Sequence, residues 1–198
     1  MKFLVTLILL ALGLLNVSAA PQDSASDEQS SAVYARQLAS LDATVRQSAA
    51  EELARLVALD QKKMVEGYLL QEKDKRVKLA LTWALYRMGK SQLLFQVVRE
   101  LDSSRHEQAV GYLSQLESLD QLYAVLKQDD TRPKMVIGII EVLGRIGDND
   151  ALQEIKPFED SYEPKIVEAA KLAANQIQQR LSEAGTPAKT RPRTTGKP

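Results

Sequence analysis

The chain has 198 residues, with 26 Lys+Arg against 26 Asp+Glu, a single histidine and no cysteine. Zero cysteine removes disulfide frameworks, thiolate metal sites and thiol chemistry, and the lone His106 removes any site built on two histidines. The even charge balance argues against a nucleic-acid binder, which carries a basic excess over its folded part.

Residues 1–20 read MKFLVTLILLALGLLNVSAA: Lys2 as a positive start, an apolar run over 3–15, then small residues at Val17 and Ala19. This is the pattern of a secretory signal peptide over residues 1–19, cleaved after Ala19. The apolar run falls short of the ~20 residues a spanning helix needs, so no stable membrane insertion is expected. The one Asn-x-Ser triplet, Asn16-Val17-Ser18, lies inside the removed peptide, which points to a bacterial periplasm or a secreted protein. Residues 20–30 are polar and aperiodic, as a disordered linker would be.

From 31 to 181 the sequence repeats itself. Val45, Val77, Arg105, Met135 and Ile166 stand at intervals of 32, 28, 30 and 31 residues, and each opens the same stripe. Four residues on come Ala49, Leu81, Ala109, Ile139 and Ala170; four further, Leu53, Leu85, Leu113, Leu143 and Ala174; three more, Leu56, Met88, Leu116, Ile146 and Ile177. The spacing i, i+4, i+8, i+11 is one face of an α-helix, so each unit carries one amphipathic helix. A shorter apolar segment precedes each, at 31–41, 62–70, 91–101, 119–128 and 148–155. The predicted unit is therefore a helix hairpin, five times over. Asp42, Asp74 and Asp102 are placed as N-caps, Pro133 and Pro164 in first turns, and Gly89 and Gly147 where a left-handed cap is expected.

Segments such as Asp42-Ala-Thr-Val-Arg46 with Ala49, Ala50 and Leu53, Asp74-Lys-Arg-Val77-Lys78, and Glu141-Val-Leu143-Gly-Arg-Ile146-Gly147-Asp148 resemble HEAT-type repeats, in particular the short class shared with phycobilisome lyases. The resemblance covers 31–181. It implies an all-α fold, an α-solenoid of about five stacked hairpins, and usually a protein-binding scaffold rather than a catalyst.

His106 shares its register position with Arg46 and Lys78, and each follows an aspartate by four residues, the spacing of a helical acid–base pair. The resemblance implies an inter-repeat polar ladder at this position, a structural role rather than a catalytic one. On the flank opposite the stripe, 100° steps bring Leu79, Trp83 and Tyr86 together, beside a notch left by Gly111 on the next long helix. Two readings stand: a partner-binding hot spot on the concave face, or a Trp83 ring that folds over Gly111 and fills a packing gap. Gln47, Glu51, Glu107 and Glu141 give the same face a polar to acidic character.

Asp129-Asp130 and Asp148-Asn149-Asp150 lack the glycine and distant glutamate of a calcium loop and read as turn and cap residues. Phosphate-binding loops and nucleophile elbows are absent, and no metal, cofactor or catalytic residue is expected. Residues 182–198 form a Pro-, Thr- and Gly-rich segment with Lys189, Arg191, Arg193 and Lys197, expected to be disordered and to act either as a tether to an anionic surface or as a plain solvated terminus. Together these features predict an exported, non-enzymatic scaffold or adaptor that binds a protein or peptide partner on its concave face. A lyase-like or transfer enzyme is the alternative that the resemblance leaves open.

Overall fold

The computed structural model describes residues 22–184. Among them every regular element is helical: α1 (Gln22–Gln37), α2 (Ala43–Arg55), α3 (Lys62–Gln71), α4 (Lys75–Arg87), α5 (Leu94–Arg99), α6 (His106–Leu113), α7 (Asp120–Leu126), α8 (Pro133–Ile146), α9 (Asn149–Ile155) and α10 (Pro164–Ala184). Short 3-10 turns at Leu59–Gln61, Ser91–Leu93, Glu100–Asp102 and Lys156–Asp160 join them. The ten helices form five consecutive pairs, and the fold is all-α. None of the described helices is long and apolar enough to cross a membrane. The proposed signal peptide lies outside the described residues, as does the C-terminal segment beyond Ala184.

The stripes account for the packing. Ala49, Leu53, Val77, Leu81, Leu85, Ala109, Leu113, Ile139, Leu143 and Ala170 are all at most 1% exposed, and burial of each Leu, Ile or Val contributes roughly 1.5–3 kcal/mol before ordering entropy is subtracted. Long helices lean on one another, α2 on α4 and α8 on α10, with the short helices against their own partners. At α6, only eight residues long, this regular stacking weakens, and the helix rests on the Glu100–Asp102 turn and on α8. Val45 is 37% exposed although its equivalent Val77 is covered, because the first pair has no described long helix on its N-terminal side.

Several local expectations are corrected. The segment 20–30 is helical from Gln22 onward, since adding turns to the packed second half of α1 needs no new nucleus. At the other end, α10 runs through Ala184 and takes in 182–184 of the expected tail. Asp42 and Asp74 cap α2 and α4 by accepting the Thr44 and the Arg76 and Val77 backbone N–H groups. Asp102 caps nothing; it lies in a 3-10 turn, and Ser103 Oγ accepts the Arg105 N–H instead, at 3.0 Å.

The helix exits differ in an informative way. After α4, Gly89 adopts φ +91°, its N–H donates to Tyr86 O at 2.9 Å, and the Lys90 N–H donates to Leu85 O at 3.0 Å. After α2 the register-equivalent residue is Val57, which adopts φ +49° with the same two bonds, from Val57 N–H to Ala54 O and from Ala58 N–H to Leu53 O. A β-branched residue thus occupies the left-handed position that suits glycine. Gly147, expected to play that role after α8, has φ −68°. Its lack of a side chain serves a close approach: a Cβ there would lie 2.4 Å from Leu143 O and 2.5 Å from Ala151 Cβ. The carbonyls at this exit are closed by Arg180 of α10, whose guanidinium donates to Gly144 O at 2.8 Å and to Gly147 O.

Candidate functional site

Two register positions recur on the flank of each long helix: Gln47 and Glu51 on α2, Leu79 and Trp83 on α4, Glu107 and Gly111 on α6, Ile137 and Glu141 on α8, Glu168 and Leu172 on α10. Helical periodicity puts them on one side of each helix. What differs along the array is how open that side is.

At α4 it is closed. Trp83 is 1% exposed and Leu79 is also buried, so neither projects outward as expected. The cause is Tyr112 of α6. Its ring lies over Trp83, with centroids 5.6 Å apart and planes 7° apart, and its hydroxyl donates to Glu51 Oε1 of α2 at 2.6 Å, across α4. Gln108 Nε2 donates to the same hydroxyl at 2.7 Å, and Gln47 Nε2 donates to Glu51 at 2.9 Å. Burial, and then the adjoining Glu51 carboxylate, push the phenol pKa far up, so Tyr112 remains a donor. Tyr86 stacks on Trp83 from another side, at 5.2 Å and 28°, and Arg87 lies 5.9 Å from the indole centroid.

The four residues predicted as a hot spot therefore do not form one surface. Tyr86 is half-buried and faces a cavity of about 490 Å³ together with Val57, Arg87 and Gln115. Gly111 is exposed, and a Cβ there would meet nothing within 4 Å, so the Trp83 ring does not fold over it either. The sequence signal that could have shown this is Tyr112 itself: its register equivalents are Glu52, Ala84, Val142 and Ala173, and a tyrosine at that position has the reach to cover a neighbour.

Toward α8 the flank carries a polar cluster. His106 Nδ1 lies 2.8 Å from Leu101 O and Nε2 lies 2.8 Å from Glu141 Oε2. Gly138 of α8 makes room for the ring, since a Cβ there would come within 3.2 Å of His106 Cε1 and 2.8 Å of Leu101 Cβ. Arg145 donates to Glu141 Oε1 at 2.6 Å and lies 3.6 Å from Glu107 Oε2. Burial lowers the His106 pKa, but the Leu101 carbonyl and the Glu141 carboxylate outweigh it and leave the imidazole above its ordinary 6.5. For Glu141, burial raises the pKa, and His106 and Arg145 outweigh it in the lowering direction.

The expected acid–base pairs along each helix are replaced by pairs between segments. Asp102 binds Arg132 at 2.5 Å and Lys134 at 3.7 Å, not His106. Arg46 forms a two-pronged bond to Glu72 at 2.8 and 3.0 Å, with further bonds to the Ser40 and Leu41 carbonyls, while Lys78 is exposed. Asp42 is occupied as a cap, which leaves Arg46 to reach across to Glu72 of the next pair. Asp148 likewise caps α9, accepting from Asp150 N and Ala151 N, and so acts as the cap residue expected there.

The open part of the flank is a groove of about 450 Å³ between α8 and α10. Its lining combines apolar Ile137, Ala169 and Leu172 with charged Glu141, Arg145, Lys165 and Glu168. Leu172 is 58% exposed. The floor is set by small residues: a Cβ on Gly144 would stand 3.0 Å from Ala173 Cα and 2.5 Å from Gln176 Oε1, so the two helices approach closely beneath it. Such a groove can take an aliphatic side chain at its centre and satisfy charges of either sign around it. No protein-family model matches the chain, and no curated protein matches it significantly.

Proposed function

We propose that the chain is an exported α-solenoid of five HEAT-like hairpins, without catalytic activity of its own, that binds a peptide-like segment of a partner protein in the groove between α8 and α10. In this reading the long helices line the concave side, and recognition rests on the C-terminal half of the array rather than on Trp83. The single observation that carries it is the exposed Leu172, which lines one groove together with Ile137 and the charged Glu141, Arg145, Lys165 and Glu168. An apolar centre with a polar rim is the anatomy of a small interface. Between positions 20 and 184 there are 21 basic and 26 acidic residues, which favours a partner segment of basic or mixed charge. Export rests on residues 1–19, by their composition alone.

The test is selection of binding peptides from a displayed random library, followed by anisotropy titration of the best of them. Leu172→Glu is expected to weaken binding at least tenfold, about 1.4 kcal/mol, at unchanged melting temperature. Tyr162→Ala, at a fully exposed residue that does not line the groove, is expected to leave it unchanged. Equal affinities of wild type and Leu172→Glu, or failure of any sequence to enrich, refute the proposal.

A further inference from the structure

The His106 ring is placed between two acceptors, a backbone carbonyl on Nδ1 and a carboxylate on Nε2, each at 2.8 Å. Two lone pairs cannot face each other at that distance, so something positive must sit between Nε2 and Glu141. A second positive group, the Arg145 guanidinium, lies between Glu141 and Glu107. The cluster thus gathers one imidazole nitrogen and two carboxylates, from α6 and α8, and holds them together only with cations. One ligand atom from each of His106, Glu107 and Glu141 lies within 4.8 Å of the others, and this is the metal-capable group found among the described residues.

We infer that His106, Glu107 and Glu141 form a binding site for a divalent transition-metal ion of the Zn²⁺ type, which takes the place of the Nε2 proton and of the Arg145 guanidinium. The exchange balances in charge: one proton and one guanidinium leave the two carboxylates, and one divalent ion enters. The Nδ1–H bond to the Leu101 carbonyl is the orienting contact of a metal-ligating histidine, because it fixes the tautomer with the Nε2 lone pair free. Ligand bonds of about 2.0–2.2 Å at a tetrahedral angle set Nε2 and Glu141 Oε2 about 3.4 Å apart, so the two atoms must separate by about 0.6 Å from 2.8 Å. Glu107, 82% exposed, and Arg145, partly exposed, are free to swing, the first inward and the second away. Three protein ligands leave a fourth position to water. An imidazole in the set favours Zn²⁺ over Mg²⁺ or Ca²⁺, which prefer oxygen alone. The inference stands whether or not the α8–α10 groove binds peptide.

Calorimetric titration of the chelator-treated chain with ZnCl₂ at neutral pH tests it. One saturable site is expected, weakened at least tenfold by His106→Gln and by Glu141→Gln, tightened severalfold by Arg145→Met, and unaffected by excess Mg²⁺. Wild-type binding no tighter than that of a folded His106→Gln, or competition by Mg²⁺, overturns it. Co²⁺ gives a readout free of variants: the intense visible absorption of a four-coordinate ion is expected, and the faint spectrum of a six-coordinate aqua ion overturns the assignment.

Discussion

Val57 and Gly89 are the same position in successive repeats, with the same pair of capping hydrogen bonds, filled by opposite residue types. Exchanging the types therefore tests whether the helix exit, and not the side chain, sets the local conformation. A left-handed backbone costs an L-residue about 1–2 kcal/mol, and a β-branched one sits at the upper end. Val57→Gly releases that cost, loses about 0.5–1 kcal/mol to the greater freedom of glycine in the unfolded chain, and gives up a few tenths for a side chain that is only partly covered. The net gain is about 0.5 kcal/mol. Gly89→Val sets its Cβ in open space, with nothing within 4 Å, so its penalty is chiefly conformational and nets to about 1 kcal/mol of destabilisation. For a chain of this length those values correspond to a melting temperature raised by about 1–2 °C and lowered by about 2–4 °C. Urea unfolding followed by far-ultraviolet circular dichroism measures both. If the two variants shift in the same direction, or Gly89→Val unfolds like wild type, the equivalence of the two exits is wrong.

Two further outcomes follow from the polar contacts. Removing the phenolic hydroxyl in Tyr112→Phe leaves Glu51 without its buried donor and is expected to cost about 1–2 kcal/mol, with Trp83 fluorescence still native-like at low urea; an unchanged unfolding midpoint would mean that the hydroxyl ties nothing together. The hydrogen bonds from Arg46 lower the Glu72 pKa from its ordinary 4.5, outweighing a burial that leaves the side chain 7% exposed. Because the unfolded chain takes up the proton first, this stabilisation is complete above about pH 4.5 and is lost as pH falls through the folded value. Glu72→Gln should thus be less stable than wild type by about 1–2 kcal/mol at pH 7, with the gap narrowing on acidification; a gap constant between pH 7 and pH 3 refutes the assignment.

The helices were legible because their burial is periodic: residues at i, i+4, i+8 and i+11 are interior on all five long helices, apart from Val45, Arg105, Ala174, whose place in the core is taken by Ala173, and a few last-turn positions. Caps were legible where residue type and geometry coincide, as at Asp42 and Asp74, and misleading where one type serves two ends. Gly147 shows this, since backbone crowding rather than a left-handed turn requires it. Asp102 has the residue type and position of a cap, but Arg132 and Lys134 of a later segment capture its carboxylate. The closed flank at Trp83 escaped for a related reason. A repeat register compares each residue with its equivalents and is blind to a tyrosine that crosses from one helix over the next. The α8–α10 groove was invisible because its depth depends on how near Gly144 lets two backbones come, a distance with no pattern in one dimension.

The Tyr112 bridge also limits how this array can be cut and recombined. In an ideal repeat protein each module senses only its immediate neighbours, so modules can be deleted, duplicated or exchanged singly. Here the third helix pair grips the first across the second, through a hydroxyl and a carboxylate. Trimming the N-terminal module would strip the anchor from an aromatic stack two modules away. The first three pairs are therefore held as one block, and because α6 packs in turn on α8, taking out any single pair here disturbs contacts on both sides of it.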